Sequence, residues 1–572
     1  MNKFLQQSII RERISLLVLI VILALIALIG RLFEKQVLEH NYWLAQAASQ
    51  QKIEKKIPSE RGKILVFDPY SKNYFPLAHN LTLYALEVIP AHLSDPLKVS
   101  QKLAPILGKD PNEIYQLINH PDKLYLPPIA RKLTDLQAKQ IKKLKLEGVK
   151  LIPEKWRYYP EGTLAAHLLG FVDASGEGRY GIEGFYNAEL KGRWGFEKGA
   201  KDVLGRELLV GRRFYLPPKD GRDIILTLDH SIQFIVEEKL KKHIEMHQAE
   251  GGGVIVMDPK TGAILALAAY PTFDPNKFSE ITDYSIFNNP LISKLYEPGS
   301  VFKVITMAAA LEENKVEPDT ARYFTASVKV ADRIIYTSNR KAHGWETMTE
   351  ALETSDNVAL VWVAQQLGLD LFYKYIKKFG FGTPTGIDLE GEEGGMIKPK
   401  DQLTEVDLAT MSFGQGIAVT PIQLITAIAA IANEGKLVQP HVASALKEGD
   451  KIKKIEPKII REVISKTTAQ KLVSMLISVV EKGQGILAKV KGYKIAGKTG
   501  TAQIPRKDGG GYEEGKTICT FVGFAPADDP KFIILTRIDV PKDTPWAAET
   551  AAPLFKDIAK FLFNYYQIPP SD

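Results

Sequence analysis

A serine and a lysine three residues apart carry the first chemical signal in this sequence. Ser300 and Lys303 lie at the start of an apolar, alanine-rich run, which predicts a buried helix beginning near Val301. Residues three apart share one face of a helix, so the amine is within reach of the hydroxyl. The positive end of the helix favours the anion that forms when the serine loses its proton. The pair therefore predicts a serine nucleophile activated by a lysine base.

The spacing alone is not specific, because the chain holds three further Ser-x-x-Lys matches, at Ser49, Ser338 and Ser444. Context distinguishes Ser300 from them. It is followed in order by Ser355-Asp356-Asn357, which precedes a helical run at 358–367, and by Lys498-Thr499-Gly500-Thr501. Generous stretches of helical pattern separate the three elements, so a single domain can bring them together.

A competing ordered trio consists of Ser49, Ser71-Lys72-Asn73 and Lys260-Thr261-Gly262. Ser49 lies shortly after the apolar N-terminal segment that, as argued below, is predicted to span a membrane. Lys260 falls at the tip of a predicted hairpin turn, between strands expected at 253–257 and 263–269. The short interval from Ser49 to Ser71 leaves little room for a helical subdomain. We therefore reject this trio.

A phosphate-binding pattern overlaps the third element. Residues 492–499 match Gly-x4-Gly-Lys-Thr letter for letter, which makes an NTPase the sharpest rival. Such a loop needs a helix that begins at the Lys-Thr pair. Instead, residues 500–515 are interrupted by Pro505 and by three consecutive glycines, which is hairpin composition. The expected orientation of the chain also places this segment outside the cell, where ATP is scarce.

The N-terminal segment predicts a membrane anchor. Residues 14–30 are uncharged and almost entirely apolar, with Arg13 and Arg31 on the flanks, and their length is near the lower limit for a spanning helix. The alternative is a cleaved secretory signal, but the apolar run is long for one and no clean Ala-x-Ala site follows. The basic residues before the span put the N-terminus in the cytoplasm and the rest of the chain outside. No later stretch predicts a second span.

Composition limits the remaining classes of function. At 572 residues the chain is expected to hold two or more domains. The excess of Lys and Arg (74) over Asp and Glu (67) is small, and no basic stripe with interleaved aromatics supports nucleic-acid binding. The single cysteine, Cys519, excludes an intramolecular disulfide and a cysteine-based metal site. Its apolar neighbours predict a packing role.

The region from 41 to 218 predicts a module without catalytic chemistry. His167, in an Ala-Ala-His-Leu-Leu run, is expected to be a core or capping histidine rather than a catalyst. A turn-rich boundary follows at 216–221. The expected elements around it are strands at 64–67, 84–88 and 224–228, a helix at 134–146 with a capping box, and a helix at 231–245.

Taken together, these motifs resemble those of class B penicillin-binding proteins. The supporting stretches are Tyr296-Glu297-Pro298-Gly299-Ser300, Ser412-Phe413-Gly414-Gln415-Gly416, Val419-Thr420-Pro421 and 496–503. The resemblance covers 223–563 closely, and the upstream pedestal more loosely through Arg61-Gly62-Lys63-Ile64.

The resemblance implies a mixed α/β fold of the α+β type. The expected parts are a cytoplasmic tail (1–13), a single transmembrane anchor (14–33), an elongated pedestal or dimerisation-type domain (34–218) and a transpeptidase domain (222–565). In the last of these, helices flank an antiparallel sheet and a helical subdomain is added.

For the catalytic residues, the resemblance implies Ser300 as nucleophile, Ser355 as a proton relay and Asn357 as a hydrogen-bond partner of the substrate's peptide amide. Lys303 must be neutral to act as the base. Because an ordinary lysine has a pKa of about 10.4, work near pH 7 requires a shift of about three units, or roughly 4 kcal/mol. Burial and a neighbouring cation, Lys498, are the expected causes.

The remaining motif residues are expected to bind substrate. Lys498, kept charged, would bind the terminal carboxylate together with the residues that follow it, Thr499, Gly500 and Thr501. Family members form their oxyanion hole from the backbone N–H groups at the positions of Ser300 and Thr501.

The implied reaction is acylation of Ser300 by a D-Ala-D-Ala stem peptide, followed by transfer to an amine, which cross-links peptidoglycan. β-Lactams would acylate the same serine. No cofactor or metal is expected. The expected partners are stem peptides, β-lactams, the membrane, a polytopic glycosyltransferase and other division proteins, but no nucleic acid. The expected location is the bacterial cytoplasmic membrane, and the motif context favours the division and sporulation branch.

Three alternatives remain beside this interpretation. A β-lactamase or β-lactam sensor shares the fold, but no Glu-x-x-x-Asn or Glu-x-x-Asn that could supply a deacylating base lies between Asn357 and Lys498. A scaffold with an inactive domain is disfavoured, since all three elements are intact. A bifunctional class A protein would need a glycosyltransferase motif within 41–218, and we find none.

Overall fold

A computed structural model of the chain describes residues 2–40, 52–68, 71–123, 125–200, 214–506 and 508–570. The chain divides into two compact units, which we describe separately. One consists of Met1–Glu60 and Gly192–Asp220, and the other of Arg61–Lys191 and Gly221–Asp572.

The first unit begins with the apolar helix that the sequence predicts. An α-helix over Asn2–Phe33 continues into a π-helical turn over Glu34–Leu38. The apolar segment Leu17–Leu38 is long enough to cross a membrane, and none of it is buried within the part of the chain that the structure describes. The sequence of residues 32–48 predicts an amphipathic helix that continues the anchor, but beyond position 40 this segment lies outside the described residues. This unit also contains a three-stranded sheet, described below.

The α-helices of the described residues, in chain order, are α1 (Asn2–Phe33), α2 (Pro96–Leu107), α3 (Pro111–Ile118), α4 (Asp135–Lys143), α5 (Ala166–Leu169), α6 (Gly181–Phe185), α7 (Asn187–Lys191), α8 (His230–Met246), α9 (Pro290–Ser293), α10 (Lys303–Glu312), α11 (Met348–Glu353), α12 (Asn357–Leu367), α13 (Leu369–Lys378), α14 (Glu405–Met411), α15 (Pro421–Ala432), α16 (Lys466–Glu481) and α17 (Ala551–Tyr565). Several begin where the sequence places a cap. At α4, Thr134 and Gln137 form the predicted capping box.

The strands, in the same order, are β1 (Lys52–Ile57), β2 (Ile64–Asp68), β3 (Asn73–Val88), β4 (Ala130–Leu133), β5 (Val149–Tyr158), β6 (Phe171–Val172), β7 (Gly178–Arg179), β8 (Gly195–Ala200), β9 (Phe214–Leu216), β10 (Asp223–Leu226), β11 (Gly251–Met257), β12 (Ile264–Tyr270), β13 (Ala321–Phe324), β14 (Ser327–Val330), β15 (Arg333–Tyr336), β16 (Gly344–Thr347), β17 (Lys436–Val438), β18 (Ala443–Glu448), β19 (Lys451–Lys454), β20 (Ile459–Glu462), β21 (Ala496–Pro505), β22 (Tyr512–Ala525) and β23 (Phe532–Asp539). The three-stranded sheet of the first unit has the order β1-β8-β9.

A five-stranded sheet forms the centre of the second unit. Its order is β12-β11-β23-β22-β21 and every neighbouring pair is antiparallel. β11 and β23 are buried along their whole length, so both faces of the sheet need a covering layer. Helices α8 and α17 cover one face, whereas α10 and α15 pack in the core on the other. This confirms the predicted antiparallel sheet flanked by helices.

A second, seven-stranded sheet connects the upstream part of this unit to the later chain. It runs β19-β18-β10-β2-β3-β4, with β5 also paired to β3. β2 and β10 are parallel neighbours, although more than 150 residues separate them. His167 lies beside this region, buried as predicted, and its Nε2 is 2.9 Å from the carbonyl oxygen of Ile286.

Candidate active site

Ser300 lies in a tight turn held against strand β21. The turn is a 3₁₀ helix over Gly299–Phe302 that leads into α10, so Ser300 lies just before the α-helix rather than in its first turn. Gly299 has a φ of 54°, and a Cβ there would lie 3.0 Å from the carbonyl oxygen of Thr501. A Cβ on Gly500 would lie 2.8 Å from the carbonyl oxygen of Pro298. The two glycines therefore permit the close approach that brings Ser300 beside the third motif.

Lys303 is fully buried and points at the second motif. Its Nζ donates to the carbonyl oxygen of Ser355 at 2.5 Å and lies 3.0 Å from the Ser355 Oγ. Among the described residues its hydrogen-bond partners lie on Ser355 and not on Ser300. In a site without substrate, catalytic contacts are often longer than in the reacting complex.

Ser355 joins the two lysines. Its Oγ is 3.0 Å from the Nζ of Lys303 and 3.0 Å from the Nζ of Lys498. Its backbone is left-handed, with a φ of 57°, which is uncommon for a residue with a side chain. The following residue, Asp356, begins α12 by accepting the backbone N–H groups of Val358 and Ala359. Thus the end of one turn and the start of one helix fix the position of the Ser355 hydroxyl.

Electrostatics favours a neutral Lys303. Burial, followed by the positive charge of Lys498, lowers its pKa well below the ordinary value, whereas Asp356 acts in the opposite direction. These are the two causes expected from the sequence. Burial also lowers the pKa of Lys498, from 10.5 to about 7. This lowered pKa differs from the expectation that Lys498 stays charged.

The other predicted residues adjoin these groups in the chain, on β21 and at the start of α12. The Nζ of Lys498 is 3.4 Å from both the carbonyl oxygen and the Oγ1 of Thr499. The Oγ1 of Thr501 accepts a hydrogen bond from the backbone N–H of Ala547 at 3.1 Å. Asn357 is half-buried and donates from Nδ2 to the carbonyl oxygen of Tyr336 at 3.0 Å.

Two groups that contact the site were not among the predicted site residues. Glu297 accepts from the backbone N–H of Gly416 at 2.8 Å and from the hydroxyl of Tyr512 at 3.1 Å, so it ties the serine turn to the Gly414–Gly416 segment. The other is His343, whose Nδ1 lies 2.8 Å from the Oδ2 of Asp356. The quoted stretches that contain Glu297 and Gly416 indicate the first of these groups. No sequence pattern near His343 indicates its contact with Asp356.

The competing motifs do not assemble into a second site within the described residues. The Oγ of Ser444 donates to the carbonyl oxygen of Ile225, and Lys260 pairs with Asp529 in the predicted hairpin turn. Ser71 is exposed in a turn, whereas Ser49 lies outside the described residues. Lys498 lies in strand β21 and not at the start of a helix, as a phosphate-binding loop requires.

Comparison with known proteins gives the same assignment. The family model described as the penicillin binding protein transpeptidase domain matches residues 252–560, and the penicillin-binding protein dimerisation domain matches residues 56–226. The chain is 37% identical over 508 residues to stage V sporulation protein D of Bacillus subtilis, which covers 88% of this chain and 77% of that protein. The chain belongs to the class B penicillin-binding proteins.

Two further relatives of this penicillin-binding protein support the transpeptidase interpretation. A probable peptidoglycan D,D-transpeptidase, PbpC of Pseudomonas aeruginosa, is 30% identical over 98% of this chain and 96% of its own length. The crystal structure of penicillin-binding protein 3 from Mycobacterium tuberculosis, complexed with aztreonam, superimposes with a TM-score of 0.70 at 28% identity, covering 91% of this chain and 98% of that chain. These matches confirm the predicted fold and enzyme class. They favour a transpeptidase over the β-lactamase alternative.

Proposed function

We propose that this penicillin-binding protein cross-links peptidoglycan by acylating Ser300 with a stem peptide that ends in D-Ala-D-Ala. The observation that carries the proposal is the position of the Ser355 hydroxyl, 3.0 Å from each of two buried lysine amines, in the cleft that also holds the serine turn. This arrangement gives a proton a continuous path between the base and a second amine.

In the acylation step, Lys303 takes the proton from Ser300 while the Ser300 Oγ attacks the carbonyl carbon of the penultimate D-Ala. The backbone N–H groups of Ser300 and Thr501 stabilise the oxyanion, a contribution of several kcal/mol in comparable sites. The C–N bond then breaks. The proton passes through Ser355 to the leaving amine, and the terminal D-Ala departs. The amine of a second stem peptide then attacks the acyl carbon, the C–O bond to Ser300 breaks, and the amine's proton returns to the Ser300 oxygen, which completes the cross-link.

Substrate recognition rests on the carboxyl-terminal end of the peptide. The terminal carboxylate lies against Lys498, Thr499 and Thr501, and its negative charge favours the protonated form of Lys498 on binding. Gly500 leaves the space through which the serine turn approaches β21. Asn357 exchanges its bond to the Tyr336 carbonyl for one to the substrate's peptide amide.

In this proposal the rest of the chain anchors the chemistry to the membrane. The proposed division is a cytoplasmic tail (1–13), an anchor (14–33), a pedestal (34–218) and the catalytic domain (222–565). The exposed apolar segment Leu17–Leu38 supports the anchor, and the basic residues before it support an N-terminus in the cytoplasm. Because no glycosyltransferase motif is found in the pedestal, glycan strands come from a separate polytopic glycosyltransferase of the division or sporulation machinery.

Labelling with a fluorescent penicillin tests the nucleophile. The full-length protein in detergent should be labelled, and the Ser300→Ala variant should not. Ser444→Ala is the matched control, because it alters another Ser-x-x-Lys serine whose hydroxyl bonds a backbone carbonyl. Undiminished labelling of Ser300→Ala would overturn the assignment. Release of D-Ala from a synthetic stem peptide, measured on the same variants, tests the reaction itself.

A further inference from the structure

A buried cluster lies directly behind the second motif. It consists of His343, Glu346 and Asp356, whose nearest ligand-type atoms all lie within 4.8 Å of one another. Asp356 is fully buried and Glu346 is 5% exposed. The Nδ1 of His343 is 2.8 Å from the Oδ2 of Asp356 and 3.6 Å from the Oε1 of Glu346. None of the roles assigned above uses His343 or Glu346.

The bonds of Asp356 explain why this cluster matters for catalysis. Its Oδ1 accepts the backbone N–H groups of Val358 at 2.6 Å and Ala359 at 3.1 Å, which caps α12. Its Oδ2 faces His343. The carboxylate is therefore held from both sides, and it lies between the relay serine, Ser355, and the substrate-binding Asn357.

Ser355 needs such support, because its left-handed backbone is strained. A residue with a side chain persists in this region only where surrounding contacts impose it. The same backbone conformation directs the carbonyl oxygen at Lys303, while the Oγ lies between the two lysines. A small change in the position of Asp356 would therefore move the relay hydroxyl.

The hydrogen bonds around His343 indicate which ring nitrogen carries the proton. The Oδ1 of Asn339 accepts the backbone N–H of Lys341 at 3.0 Å, so its amide nitrogen is the atom that faces the Nε2 of His343 at 3.3 Å. Nε2 is then the acceptor and Nδ1 carries the hydrogen, which points at Asp356. This protonation places no lone pair on Nδ1 for a metal ion. Among the described residues, the Oε2 of Glu346 has no hydrogen-bond partner. Burial is the main cause that raises the pKa of Glu346.

We propose that His343 is a positioning residue of the transpeptidase: its Nδ1–H donates to Asp356 and so holds the Ser355 hydroxyl between Lys303 and Lys498. This proposal rests on the proposed function. His343 does not touch the substrate. Its effect is expected on the acylation rate constant, which depends on the relay, and not on initial binding of the β-lactam.

Side-chain replacements at position 343 separate the effect of the Nδ1–H hydrogen-bond donor from the effect of side-chain size. In His343→Asn the amide nitrogen takes the place of Nδ1 and keeps the donor. In His343→Gln it takes the place of Nε2, and in His343→Leu the donor is absent. The matched control is His247→Leu, because His247 is also buried and its Nδ1 lies 2.8 Å from a carboxylate oxygen of Asp543, outside the site.

The experiment measures stopped-flow acylation of the full-length protein by a fluorescent penicillin, which resolves the dissociation constant from the acylation rate constant. The rate constant should fall about tenfold or more in the Leu and Gln variants, as expected for a lost bond to a charged group, with the dissociation constant within about threefold of wild type. The Asn variant and the His247→Leu control should stay within about threefold of wild type on both measures.

Several outcomes would overturn the proposal. One is a wild-type rate constant in the Leu and Gln variants, and another is an Asn variant as slow as the Gln variant. If the Leu variant does not fold, the comparison between Asn and Gln still decides. Loss of wild-type acylation in EDTA, restored by zinc, would show that the cluster holds a metal ion instead. Failure of the proposed function is distinguishable, because it would appear as labelling of the wild type that does not depend on Ser300.

Discussion

Removal of the Lys498 charge should make the catalytic base harder to deprotonate. The Nζ atoms of Lys498 and Lys303 each lie 3.0 Å from the Ser355 Oγ, so they are no more than about 6 Å apart. At an effective dielectric constant of about 20, two unit charges at that distance repel by about 3 kcal/mol. In Lys498→Met this repulsion is absent, and the pKa of Lys303 rises.

The sign and size of the effect on rate follow from the role of the base. In the proposed mechanism Lys303 acts in its neutral form, so a raised pKa reduces the active fraction on the acid side of its titration. A change of about 3 kcal/mol corresponds to a fall of up to about two orders of magnitude in that fraction at a fixed pH. In a plot of the acylation rate constant against pH, the rise on the low-pH side (the acid limb) should therefore move to higher pH.

The assay is the acylation rate constant for a fluorescent penicillin, measured at saturation over the pH range in which the protein remains folded. Saturation separates the position of the limb from any loss of carboxylate binding. Lys498→Arg is the control, because it keeps a positive charge at every pH and should leave the acid limb near its wild-type position. An acid limb in Lys498→Met that coincides with that of wild type would refute this electrostatic reasoning.

Three further predictions concern the serine turn, substrate binding and stability. In Gly500→Ala the added Cβ would lie 2.8 Å from the carbonyl oxygen of Pro298, so penicillin acylation should fall about tenfold or more; a wild-type rate would contradict the close approach. Because the pKa of Lys498 is about 7, calorimetry should show weaker binding of a stem peptide with a free carboxylate above about pH 7. An amide-capped peptide should show no such change. Glu183 is fully buried and binds Arg61 and Arg157, so Glu183→Gln should lower the free energy of unfolding by about 3–5 kcal/mol in denaturant titrations, whereas Asp173→Asn, which alters the more exposed pair with Arg179, should cost at most about 1 kcal/mol. Equal losses in the two variants would contradict the burial argument.

Local signals account for the elements that the sequence predicted correctly. The capping box at Thr134 and the short polar residues before α12 specify helix starts through bonds to the nearest backbone N–H groups. The hairpin between β21 and β22 follows from its glycines and proline. The order and composition of the three motifs likewise predicted that Ser355 lies between Lys303 and Lys498.

Features that depend on distant contacts were not predictable in the same way. The strand expected at 84–88 is the end of β3, which extends from Asn73 because β2 and β5 pair with its two parts. The parallel pairing of β2 with β10 joins segments far apart in sequence, and no local pattern encodes it.

In the active site, tertiary contacts set the details that the motifs leave open. The left-handed backbone of Ser355 is imposed by its surroundings, since serine has no intrinsic preference for it. The full burial of Lys498, which brings its pKa to about 7, depends on neighbours from several parts of the fold. His343 reaches Asp356 only because the chain between them folds back through β16 and α11.

Mass spectrometry of the acylated protein tests the central claim most directly. After reaction with penicillin and proteolysis, the adduct should be found on the peptide that contains Ser300, and fragmentation should place it on that serine. An adduct on Ser338, Ser444 or Ser49 would contradict the account, as would a protein that retains no adduct while it turns over stem peptide.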